Sequence, residues 1–135
     1  MHGLHLTADL HDCRCARQWL EDAQALGAVC RKAAVTAGLQ PVGELFKAFP
    51  PTKLGPGGVT ATILLAESHL CAHTWPELKA ATLDVYVCNV GGNHAPAAHS
   101  LMDCLISLFE PTRSDLNALR RGEIAPVAPK VESAH

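Results

Sequence analysis

The sequence predicts an α+β two-layer sandwich, a mainly antiparallel sheet with two helices packed on one face. Three observations point there. Strand-like alternation of apolar and polar residues recurs in neighbouring segments instead of alternating strictly with helices, two segments carry a helical period, and Pro- and Gly-rich turns separate them. The chain has 135 residues, 48% of them hydrophobic, which suits one domain with a modest core.

In "GLHLTADL", Leu4, Leu6, Ala8 and Leu10 alternate with partly polar neighbours, so the segment reads as a half-buried strand. Asp12 is placed to cap a helix over about residues 14 to 37, in which Trp19, Ala23, Leu26 and Cys30 form one stripe and Gly38 ends it. "PVGELFKAF" predicts a second strand and "PPTKLGPGG" a turn-forming loop. "VTATILLA" predicts a third strand. "TLDVYVC" predicts another, with Leu83, Val85 and Val87 on one face and Thr82, Asp84, Tyr86 and Cys88 on the other. Asn93 is placed to cap a second helix running to about Phe109, striped by Leu101, Leu105 and Leu108 and reinforced by Met102, Ile106 and Phe109. After Pro111, "TRSDLNAL" predicts an edge strand. Residues 1–122 are expected to form the single domain, and 123–135 a flexible tail.

Composition excludes several function classes. The formal charge is -2 and the basic residues are dispersed, so there is no electrostatic footprint for nucleic acid. Apolar runs such as Ile63 to Ala66 fall far short of the roughly 20 residues of a membrane span, and the first residues lack the pattern of a signal peptide. A cytoplasmic protein without nucleic-acid or membrane partners is expected. The six cysteines (13, 15, 30, 71, 88 and 104) contain no C-x-x-C pair and read mostly as buried thiols. Cys13 and Cys15 beside His11 are a weak metal signal.

Chemistry concentrates in "LLAESHLCAHTWPE", residues 64 to 77. If "SHLCAHT" is extended, His69, Cys71 and His73 share one face, three possible metal ligands in a row. Alternate strand positions seldom converge on one ion, and no fourth ligand has diagnostic spacing. If it is helical, His69 and His73 stand at i and i+4, without the glutamate of H-E-x-x-H and with Trp75-Pro76 opposing helix continuation. Ser68 beside these histidines is a third possibility, a nucleophile without a G-x-S-x-G elbow.

The same stretch, followed by Cys88 in "LDVYVC" and preceded by "GLHLTADLHDC", resembles the prokaryotic S-adenosylmethionine decarboxylase proenzymes, the small pyruvoyl-dependent class. Their signature is close to A-E-S-H-x-x-x-H-T-W-P-E with a downstream F-T-C-G, and the similarity spans roughly residues 3 to 122. The resemblance implies that the Glu67–Ser68 bond undergoes an N-to-O acyl shift and breaks, leaving a β chain of residues 1–67 and an α chain of 68–135 that begins with a pyruvoyl group. It implies that Ser68 is the pyruvoyl precursor and site of the Schiff base with substrate. His73 would be the processing base, Thr60 a processing aid and Cys88 the proton donor. Glu77 would bind the ribose hydroxyls of S-adenosylmethionine and Phe49 its adenine. No metal is implied, since the pyruvoyl carbonyl does the work of an electron sink. His69 and Cys71 receive no role.

The implied product is the aminopropyl donor of spermidine biosynthesis, and the implied assembly a homodimer of cleaved αβ protomers with active sites at the interface. Here the segment from Phe49 to Thr60 spans eleven residues where the family uses about six, and the positions after Glu77 also depart from the pattern. A pyruvoyl-dependent arginine or ornithine decarboxylase is therefore the alternative reading, because only the remote binding contacts need change.

Overall fold

A computed structural model describes residues 2–124. Most of the expected tail, 125–135, lies outside the described residues. The elements run β1 (Gly3–Cys13), α1 (Gln18–Glu21), α2 (Ala23–Thr36), β2 (Pro41–Ala48), β3 (Val59–Leu65), β4 (Ser68–Trp75), a 3-10 turn (Pro76–Leu78), β5 (Ala80–Cys88), α3 (Ala95–Phe109) and β6 (Pro111–Arg121). The strands make one six-stranded sheet in the order β2-β3-β4-β5-β1-β6, with every pairing antiparallel. The expected α+β two-layer sandwich is observed, with α2 and α3 on one face.

Two expectations about the first helix need correction. Asp12 does not cap it, because β1 continues to Cys13, whose N–H pairs with the Lys79 carbonyl at 2.7 Å. The helix itself is broken at Asp22, which leaves helical geometry and accepts the N–H groups of Gln24 and Ala25, both at 3.1 Å. Asp22 is thus the N-cap of α2, a role its short carboxylate suits better than mid-helix membership. At α3 the N-cap falls one residue later than expected, on His94, while Asn93 Oδ1 still accepts the Ala95 N–H at 3.1 Å.

The core lies between the sheet and the two long helices. Val59, Ala61, Ile63 and Leu65 alternate inward on β3, as do Leu70 and Ala72 on β4 and Leu83, Val85 and Val87 on β5, each essentially buried. Leu26 and Cys30 of α2 and Leu101, Leu105 and Phe109 of α3 cover them. Burial pushes the Cys30 thiol up to about 12 and the Cys13 thiol up to about 11, the behaviour of packing thiols. Gly27 lets α2 lie directly on β2, since a Cβ there would overlap the Phe46 ring. No described helix is long and apolar enough to cross a membrane.

Among the described residues, no helix lies on the opposite face of the sheet. His5, Thr60, Thr62, His69, Cys71, His73, Thr82, Asp84 and Tyr86 stand on it, half-buried by one another. This polar open face and the two ends of β4 position the candidate site.

Candidate active site

The hairpin joining β3 to β4 turns on Ala66 and Glu67, with Leu65 and Ser68 paired across it. Glu67 is held at φ 53, a left-handed conformation that costs a residue with a Cβ roughly 1–2 kcal/mol. The residue before Ser68 is therefore strained. Ser68 Oγ accepts the Cys88 N–H at 3.2 Å, which brings the serine beside the end of β5. Glu67, Ser68 and Cys88 line one cavity of about 210 Å³, together with Gln40, Val90 and His94.

Four other nominated residues meet at the far end of β4. Thr60 and His73 face each other across β3 and β4 and share a hydrogen bond of 2.9 Å between Oγ1 and Nδ1. That bond fixes the ring and leaves Nε2 for other partners. With Phe49 and Glu77 they line a second cavity, of about 240 Å³, which Trp75 also borders. The long loop before β3 closes over this end. A Cβ at Gly57 would overlap the Phe49 carbonyl and one at Gly58 the Thr74 carbonyl, so both positions require glycine, and the Phe49 N–H donates to the Gly58 carbonyl at 2.9 Å. Thr74, 4% exposed, locks the floor: its hydroxyl accepts the Val59 N–H and donates to the Leu20 carbonyl.

A single chain does not unite the two groups. Ser68 and His73 are five residues apart on one strand, about 17 Å at the usual rise. His73 therefore does not reach Ser68 of its own chain.

Between the two ends, on the open face, His69 stacks on Tyr86 with ring centroids 5.6 Å apart, and His5 meets both edge-on. His5 contacts Asp84 at 2.6 Å through Nε2 and Arg121 at 3.0 Å through Nδ1. Burial, followed by the neighbouring His5, lowers the pKa of His69. Cys71 lies opposite Thr62, with Sγ and Oγ1 3.6 Å apart. Among the described residues no three His, Cys, Asp or Glu side chains converge on a metal-sized point, because alternate residues of one strand fan out along it. Trp75, part of the signature, borders the second cavity, and His94, which sequence reasoning did not single out, lines the first.

Comparison with known proteins gives a consistent result. A family model described as S-adenosylmethionine decarboxylase matches residues 4–122. An S-adenosylmethionine decarboxylase proenzyme of Sulfurihydrogenibium sp. (strain YO3AOP1) is 36% identical over 129 residues, 95% of this chain and 87% of that protein. The proenzyme of Hydrogenobaculum sp. (strain Y04AAS1) is 43% identical over 72 residues, 53% of this chain and about half, 51%, of that protein. The crystal structure of the adenosylmethionine decarboxylase from Aquifex aeolicus VF5 superposes with a TM-score of 0.76 at 30% identity, covering 94% of this chain and 96% of that one.

Proposed function

The chain belongs to the S-adenosylmethionine decarboxylase family, and from that premise we propose that it is a proenzyme that cuts itself at Glu67–Ser68 and then decarboxylates S-adenosylmethionine. The family match favours this substrate and lends nothing to the arginine or ornithine alternative. The observation that carries the proposal is the Ser68 hydroxyl, hydrogen-bonded by the Cys88 N–H directly after a left-handed Glu67.

The residues present fit a pyruvoyl group at position 68. The left-handed turn at Glu67 presents the Glu67–Ser68 bond at an exposed hairpin tip, and the contact with Cys88 N–H restricts the hydroxyl that attacks it. The cavity in front of Ser68 leaves space for a small substrate group. Once formed, the pyruvoyl carbonyl supplies an electron sink for decarboxylation. Cys88, 8% exposed and next to Ser68, is the donor of the proton that replaces the departing carboxylate. Thr60 orients His73 as the processing base, and Glu77 and Phe49 border the cavity that takes the adenosyl moiety.

Because one chain separates Ser68 from His73, the working unit is a homodimer. A two-fold partner laid against the open face, strands reversed, would bring the His73 end of one protomer to the Ser68 end of the other. The exposed Leu45, Leu64 and Leu119 on that face supply apolar contact at its periphery.

Intact-mass analysis tests the reading. The purified chain is expected as two fragments split between Glu67 and Ser68, the second without a free amino terminus, and Ser68→Ala is expected as one uncut, inactive chain. A single 14.3 kDa species from the unsubstituted sequence would overturn it.

A further inference from the structure

The Ser68 cavity contains a titratable side chain to which the proposed chemistry gives no task. His94 is half-buried at the start of α3 and borders the same 210 Å³ space as Glu67, Ser68 and Cys88. That volume would hold roughly seven water molecules, and His94 and Cys88 both line it.

The backbone of His94 is committed and its ring is not. Its N–H donates to Asn89 Oδ1 at 2.7 Å, and the Asn89 N–H donates to the His2 carbonyl at 2.9 Å, which ties the turn from Asn89 to His94 down beside Cys88. The imidazole makes no capping bond to α3 and has no hydrogen-bond partner among the described residues. The rest of the cavity wall, Gly38, Leu39, Gln40, Leu65, Ala66 and Val90, has no group that exchanges protons near neutrality.

Decarboxylation consumes one proton per turnover. Cys88, 8% exposed, borders this cavity and must regain that proton through it. We propose that His94 is the proton relay of the Ser68 site, returning a proton to Cys88 after each turnover. An imidazolium N–H bond breaks and the Cys88 S–H bond forms, directly or through one cavity water, and the neutral ring then takes a proton from solvent. The net change is uptake of one proton for each CO₂ released. Histidine suits this because its two ring nitrogens can accept a proton at one and release it from the other. His94 acts through Cys88, not on the substrate, and the inference rests on the roles proposed above for Ser68 and Cys88.

The test compares the full chain with His94→Gln and His94→Asn, each checked for a retained fold by thermal unfolding. Both variants are expected to split at Glu67–Ser68 as the unsubstituted chain does and to keep its KM for S-adenosylmethionine. Their kcat is expected to fall about tenfold or more, to lose its dependence on pH near neutrality, and to recover in proportion to added imidazole. An unchanged kcat and pH profile in processed variants, or a raised KM with kcat intact, would overturn the relay and leave the decarboxylase standing. If the unsubstituted chain neither split nor released CO₂, the decarboxylase reading would fall and the relay with it.

Discussion

Ser68, His73 and Cys88 are unremarkable residue types, and each could serve only packing or solvation. Their environments separate them from His69 and Cys71, which stand in the same strand. Ser68 follows a strained residue and meets the end of β5, while His73 is clamped by Thr60. His69 instead packs between Tyr86 and His5, where burial disfavours its charged form. The consequence is a pH dependence of stability. The folded state holds His69 neutral to lower pH than the unfolded chain does, so the unfolded chain binds the extra proton as pH falls through the ordinary value of 6.5. Stability should therefore decline on acidification across that range. Thermal unfolding followed from pH 8 to pH 5 should show a shallower decline in His69→Gln; an identical decline in both proteins would remove His69 as a cause.

At the scale of elements, the alternation in β1, β3 and β5 was legible because a strand buried on one face must repeat every two residues. The Asp22 break was not legible. A four-residue helix and its successor share the same apolar spacing, and only the cap geometry separates them. Thr74 was also invisible, although it joins three elements: its hydroxyl receives the β3 Val59 N–H and reaches the Leu20 carbonyl of α1 from β4. Thr74→Val keeps the shape and leaves both backbone groups unpaired in a buried setting, which should cost roughly 1–3 kcal/mol. Urea unfolding measures it, and a loss below experimental error would show that water or local movement satisfies those groups instead.

For the whole molecule, the determining feature is that one sheet carries its two reactive groups at opposite ends of β4, below a face that no helix among the described residues covers. Mixing two inactive proteins tests the proposed pairing. Co-expressed Ser68→Ala and His73→Ala chains should form mixed dimers in which the intact Ser68 of one chain meets the intact His73 of the other, so that the His73→Ala chain is cut in part. Complete absence of cutting in verified mixed dimers would place each site within one chain.

The long motif around Ser68 determined the family, and strand and helix periodicity determined the fold class, because both are local properties written in residue order. Which nominated residues meet was decided only by tertiary structure. Ser68 and His73 look like neighbours in the chain, yet an extended strand carries them apart, whereas Cys88, twenty residues beyond Ser68, returns to it through antiparallel pairing and the Ser68–Cys88 hydrogen bond. His94 entered the cavity by the same route: a turn after β5, closed by Asn89, placed it where no spacing in the sequence could.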